Sequence, residues 1–314
     1  MSTQPAVSRP PRSLPYAVVD VFAERPLEGN ALAIFTDARS LSTEDMQRIA
    51  RETNLSETTF ILPRPSDVER KCGVHVRIFT TEEELPFAGH PTLGTASWLY
   101  SNHAELRGSE TIHLDLAAGR IPVTFGEPET TGPGTFGTMR QNDPIFGDTH
   151  APAGVAAALN LSLDDLDLTA PIQTVSTGMP FCIVPLRSLE VASRLQIPQH
   201  LARPFLARAG AKFFFCIARA AASSPADWHA RMQFYNGEDP ATGSASGCAI
   251  AWLVRHGLVP SGQPVLLEQG IEMHRPSRIH LQAALVGDAV PPMVTDVLVG
   301  GRTIPVASGQ LFLP

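Results

Sequence analysis

Cysteine is scarce in this chain, and its few copies stand far apart. Cys72, Cys182, Cys216 and Cys248 form no C-x-x-C pair, so they read as small buried hydrophobes rather than a disulfide framework. The ten histidines are equally dispersed, with no H-E-x-x-H and no cluster at ligand spacing, so no metal is expected. Long apolar runs are missing too. None approaches the ~20 residues that span a bilayer, and the first residues lack the apolar stretch of a signal peptide. A soluble, cytoplasmic protein is the expectation. Basic residues are in deficit, with 24 Lys and Arg against 31 Asp and Glu. The formal charge of −7 argues against nucleic acid or an anionic membrane as partner. What the chain does have is apolar material, 43% of 314 residues, enough for a sizeable core and for two domains of roughly 150 residues each.

Residues 1–15, with Pro5, Pro10, Pro11 and Pro15, read as a disordered leader. A strand follows over 16–22, then a turn through 26–30 and a second apolar run over 31–35. Ser42, with Glu44 and Asp45 behind it, predicts the cap of a helix that ends near Asn54. Strands are expected over 58–62, 72–80, 113–115 and 120–125, and a helix from Thr92, with Pro91 where a first-turn proline is tolerated. The Pro-, Thr- and Gly-rich segment 126–134 reads as a crossover. The second half repeats this grammar. Helices are expected over 151–159 and 201–209, the latter stopped by Gly210. Strands are expected over 172–186, 213–218, 228–234, 264–268, 272–274, 277–287, 293–300 and 302–312. The resulting division is a first domain over 16–128, with the C-terminal strand 300–314 a candidate to complete it, and a second over 129–299.

One motif occurs twice. Asp239-Pro240-Ala241-Thr242-Gly243-Ser244 opens a small-residue helix, and Gly89-His90-Pro91 opens another at the corresponding place. Unpaired N–H groups and the positive end of the dipole make such starts anion sites. No Walker lysine follows, which favours a carboxylate over a phosphate. Asp, Thr and Ser are also ordinary capping residues. An internal repeat of α+β domains, with both central helices aimed at a shared cleft, accounts for the pattern.

These pieces, in this order, resemble the PhzF family of phenazine-biosynthesis-like proteins, which share a fold with diaminopimelate epimerase and proline racemase. The matching stretches are Val19–Phe22 with Pro26–Asn30, Asn54–Phe60, Arg77–Thr80 with Glu84–Pro91, Glu238–Ala245, and Gln269–Gly270 with Arg275–Ser277. The resemblance implies two pseudo-symmetric domains, each a mostly antiparallel, barrel-like sheet around a central helix. It implies a cofactor-free site between them and a homodimer. It further implies an isomerase that moves a proton on trans-2,3-dihydro-3-hydroxyanthranilate or a similar small carboxylate. Glu57 of Asn-Leu-Ser-Glu would be the general base, with His90, Asp239 and Ser244 beside it. The N–H groups of Gly89 and Gly243 would hold the substrate carboxylate. Asn30, Ser56 and Gln269 either touch substrate or satisfy turns.

Two other readings compete. Amino-acid racemases and epimerases of this fold need a cysteine at each helix start. The matching positions here hold Ala88 and Pro240, neither of which can supply a thiolate. A non-catalytic, small-molecule-binding homodimer would need no base, yet Glu57, His90, Asp239 and Ser244 occur together. Arg275 reads as part of a solvated turn, and Glu82-Glu83-Glu84 as a charged face.

Overall fold

The structure, a computed structural model, describes residues 12–126, 132–234, 237–287 and 293–313. Its first half contains β1 (Arg12–Val21), β2 (Asn30–Phe35), α1 (Thr43–Thr53), β3 (Glu57–Ile61), α2 (Ser66–Cys72) and β4 (Val74–Phe79). Then come β5 (Glu84–Leu85), α3 (Gly89–Asn102), β6 (Thr111–Leu116), β7 (Gly119–Thr124), β8 (Thr135–Arg140) and β9 (Ile145–Thr149). The second half holds α4 (Pro152–Leu159), β10 (Gln173–Ser176), β11 (Pro180–Pro185), α5 (Leu189–Ser193), α6 (Gln199–Ala209), β12 (Phe213–Arg219) and β13 (Trp228–Phe234). It closes with β14 (Gly237–Asp239), α7 (Gly243–Arg255), β15 (Val265–Gln269), β16 (Ser277–Val286) and β17 (Met293–Leu313).

Local signals account for the elements nearest the site. Ser42 and Asp45 form a reciprocal capping box at the start of α1, and Asn54 ends that helix in the left-handed conformation, φ 51°. The stop at Asn54 sends the chain through Ser56 directly into β3, so Glu57 is the first residue of a strand. Helices α3 and α7 are apolar or small all round rather than striped. A helix of that kind must be buried on every side, and residues Gly243–Val254 of α7 are buried without exception.

Each helix is wrapped by strands. In the first domain, β1, β2, β3, β4, β6, β7, β8 and β17 form a closed barrel around α3. From β1 to β8 the pairings run antiparallel, parallel, antiparallel, parallel, antiparallel, antiparallel. From β10 to β17 around α7 the same six-step series recurs. Even the side hairpins match, β5 on β4 and β14 on β13. The internal repeat is therefore one of strand pairing as well as motif. Strand β17 belongs to both units: it pairs with β16 over 293–300, with β8 over 298–303 and with β1 over 303–313.

Several expectations change. Residues 12–15 belong to β1 rather than a leader; Leu14 is buried beside Phe35, and the strand pairs with the end of β17. Residues 1–11 lie outside the described residues, as does most of the crossover. The first barrel takes in β8 and β17 as well as the strands before residue 128. The strand expected over 272–274 is a turn: Gly270 (φ 76°) starts it, and its carbonyl accepts from Met273 and Arg275. Helix α2 and strands β8, β9 and β14 carry no clear periodicity and were not expected. Among the described residues, no helix is long and apolar enough to cross a membrane.

Candidate active site

Helices α3 and α7 meet start to start between the two units. A Cβ added to Gly89 would lie 2.4 Å from the Ser244 nitrogen and 2.6 Å from the Gly243 carbonyl carbon. Only glycine permits this backbone-to-backbone contact. Neither helix has a side-chain cap bond or an acidic residue in its first turn. Two positive dipole ends, each equivalent to roughly half a charge, therefore converge with their N–H groups free of side-chain caps.

A pocket opens at this junction. Its polar wall is Ser56, Glu57, Gly89, His90, Asp239, Thr242, Gly243 and Ser244. Its apolar wall includes Leu85, Met179, Phe213, Met232 and Phe234. The apolar residues come from both units; Met232 and Phe234 project from the same face of β13, as the two-residue period of a strand dictates. The alternation Ala230, Met232, Phe234 is the sequence signal that could have assigned them to the pocket.

Glu57 and His90 face each other, with Oε2 and Nε2 3.5 Å apart. Both atoms are buried and neither has a hydrogen-bond partner. Such atoms are costly to bury and are found where something else is meant to bind. Asp239, 3% exposed, is well supplied instead. Its Oδ1 accepts from Asn30 Nδ2 at 2.6 Å, its Oδ2 from the Thr242 hydroxyl at 2.7 Å, and the Ser56 hydroxyl bonds it as well.

Burial sets the charges. It pushes the Glu57 carboxyl well above the ordinary range, and the nearby Asp239 charge raises it further. Asp239 is pushed up to about 6 by burial, against the opposing pull of its three hydrogen-bond donors. His90 is lowered to about 3 by burial alone. Burial thus favours the neutral imidazole of His90 and the protonated carboxyl of Glu57.

Two residues expected at the substrate stand behind it. Gln269 is fully buried: its Nε2 donates to the Asp239 carbonyl at 2.7 Å and the Thr242 hydroxyl at 2.9 Å, and its Oε1 accepts from the Thr242 N–H at 3.0 Å. Asn30 is likewise occupied, with Asp239 and the Ala241 carbonyl. Both hold the 239–242 turn in shape. Arg275 is half-buried rather than merely part of a solvated turn. It bonds the carbonyls of Gly29 and Glu28, each at 2.8 Å, and buried Asp20 at 2.7 Å, fixing the loop that delivers Asn30. Of the acidic run, Glu84 pairs with Arg77, and Glu83 reaches Lys212 of the other unit at 2.5 Å beside the pocket. Gln141 escaped sequence reading altogether. Its Nε2 donates to the Gly243 carbonyl at 2.8 Å while its Oε1 accepts from Thr177, anchoring the first turn of α7.

Thiol chemistry has no place here. Ala88 and Pro240 occupy the racemase positions, and Cys248 lies inside α7 against Thr177 and the Met179 carbonyl. Burial pushes its thiol up to about 11. Among the described residues, no group of three or more His, Cys, Asp or Glu is gathered to hold a metal.

Comparison with known proteins gives the family and the fold. The family model described as phenazine biosynthesis-like protein matches residues 19–309. A trans-2,3-dihydro-3-hydroxyanthranilate isomerase of Pseudomonas aeruginosa is 36% identical, over 95% of this chain and 99% of the relative. The crystal structure of a PhzF-family phenazine biosynthesis protein of Bacillus anthracis superposes with a TM-score of 0.82 at 26% identity, over 96% of this chain and 99% of that one. A probable proline racemase of Agrobacterium radiobacter, 10% identical, superposes with a TM-score of 0.66 over 96% of this chain and 93% of its own. At that identity the last shows the shared epimerase-like fold alone.

Proposed function

The chain belongs to the phenazine biosynthesis-like (PhzC-PhzF) family, and on that premise we propose that it is a cofactor-independent isomerase of a small cyclic or conjugated carboxylic acid. The substrate class follows the relatives' name, trans-2,3-dihydro-3-hydroxyanthranilate isomerase. The observation that carries the reading is the unpartnered, buried Glu57 Oε2 facing His90 at the junction of two helix starts.

The substrate carboxylate sits against Ser244 and the N–H groups of Gly89 and Gly243, where the paired dipoles favour a negative charge. Glu57 moves the proton. Its raised pKa brings proton exchange at a carboxyl closer to neutral pH, as general acid–base catalysis requires. As base, Glu57 takes a proton from one carbon, and that C–H pair enters the conjugated system. As acid, it returns the proton to another carbon, whose π pair forms the new C–H bond. The sum is a moved double bond with no redox change. His90 and Asp239 orient polar substituents and hold the charge balance, and the apolar wall packs the ring.

The test is to offer dihydro-hydroxyanthranilate in heavy water to the wild type and to Glu57→Gln, following absorbance and deuterium uptake. Wild type should turn over and incorporate deuterium, and the variant should lose about 10²- to 10⁴-fold in kcat. Failure of the wild type to turn over would remove the substrate assignment. Equal rates in the two proteins would remove the role of Glu57.

A further inference from the structure

Asn30 opens β2 and is 1% exposed. Its side-chain nitrogen has three neighbours: Asp239 Oδ1 at 2.6 Å, the Ala241 carbonyl oxygen at 2.9 Å, and His90 Nδ1 at 3.2 Å. An ionised carboxylate and a carbonyl can only accept. Between them they orient the amide so that its NH₂, and not its oxygen, faces all three. The orientation is held from behind as well, because the Gly29 N–H donates to the Pro276 carbonyl and Arg275 grips the Gly29 carbonyl.

That orientation constrains the imidazole. The amide's two hydrogens go to the two nearer acceptors and its nitrogen offers no lone pair, so an Nδ1–H would meet only hydrogen and His90 must present a bare Nδ1. A neutral imidazole with a bare Nδ1 carries its proton on Nε2, the atom that faces Glu57 Oε2 at 3.5 Å. We propose that Asn30 is a positioning residue that fixes neutral His90 as the Nε2–H form and so makes it a hydrogen-bond donor into the pocket. Burial, which keeps His90 neutral, agrees with this.

The consequence for the chemistry rests on the isomerase reading; the assignment of the proton does not. With its outward nitrogen protonated, His90 is no base toward carbon. It can donate to a substrate oxygen, or to the Glu57 carboxylate once that group has discharged its proton. Proton acceptance on this side of the pocket then falls to Glu57 alone.

Nuclear magnetic resonance of full-length protein labelled with heavy nitrogen at histidine reads the tautomer directly, with His90→Gln assigning the signal. In the free wild type at neutral pH, His90 should show an unprotonated Nδ1 and a protonated Nε2. The reverse pattern in the wild type overturns the proposal, whatever the protein catalyses and whether or not any variant folds. Asn30→Asp places an acceptor where the NH₂ stands, and should switch the proton to Nδ1. Asn30→Leu removes the donor, and should leave a mixture. An unchanged His90 pattern in both folded variants would show that something other than Asn30 sets the tautomer. In kinetics, Asn30→Asp should lower kcat by roughly 10² or more with KM little changed, the size expected for a misplaced proton in an acid–base site.

Discussion

At the scale of single residues, the site works by withholding partners. Glu57 and His90 are buried with empty hydrogen-bond positions, while Asp239, Gln269 and the side-chain nitrogen of Asn30 have protein partners. Such a site costs stability, and the cost has a pH signature. The folded pKa of Glu57 lies above its unfolded value, so its contribution to stability is complete below about 4.5 and declines as pH rises toward the folded value. Glutamine mimics the protonated carboxyl and has no such decline. Glu57→Gln should therefore melt no lower than the wild type, with a difference in Tm that widens in its favour from about pH 4.5 upward; thermal denaturation across pH checks it. A gap that narrows with rising pH would mean that Glu57 is ionised in the fold. Residue identities were partly readable from the sequence, because Glu57, His90 and Asp239 sit in recognisable local motifs. Of the supporting residues, Asn30 and Gln269 were singled out, whereas Gln141 and the role of Arg275 were not. Gln141 and Arg275 act across more than a hundred positions of chain, and only folding brings them to their partners.

Elements were more legible than their ends. The α1 cap and stop, the glycine after α6 and the small-residue helices α3 and α7 are local signals, and each appears, although α3 begins at Gly89 rather than at Thr92. The 272–274 segment failed because its apolar and charged residues alternate like a strand, while Gly270 bends the backbone into a turn. Strand β8 went unseen because barrel closure, rather than periodicity, holds it, and the largely exposed β9 has only its pairing with β10 to define it. The decisive contact between elements is that of Gly89 with Gly243 and Ser244. Gly89→Ala forces two helix backbones apart, and overpacking of this kind costs about 1–3 kcal/mol. It should also abolish turnover, since the anion-holding N–H groups separate. Ser42→Ala is the control: it removes one cap, costs about 1 kcal/mol, and should leave kcat unchanged. Chemical denaturation and steady-state rates on the two variants separate damage to the junction from general loss of stability.

For the molecule as a whole, the shared strand β17 makes the two units one cooperative structure. It pairs with β16 on one side of the junction and with β8 and β1 on the other. Equilibrium unfolding should accordingly show a single transition, with the same midpoint from probes placed in either unit. Two separated transitions would mean that β17 does not couple them. The pseudo-repeat suggests two halves in series, with the C-terminal strand 300–314 a candidate to complete the first. The pairing interlocks the halves through β17.

The position of β17 also bears on how the protein is made. Synthesis delivers β1 first and β17 last, yet β1 pairs along its whole length with the final part of β17, Arg12 with Leu313. The unit that leaves the ribosome first therefore cannot close until nearly the whole chain has emerged. Until then the apolar lining of that barrel and both edges of its gap are exposed, a state in which unpaired strands invite aggregation. Nascent chains stalled after residue 287 should remain open to protease within 12–126, and chains released after residue 313 should not. In the cell, β17, translated long after β1, is the clasp that lets β1 be stored safely.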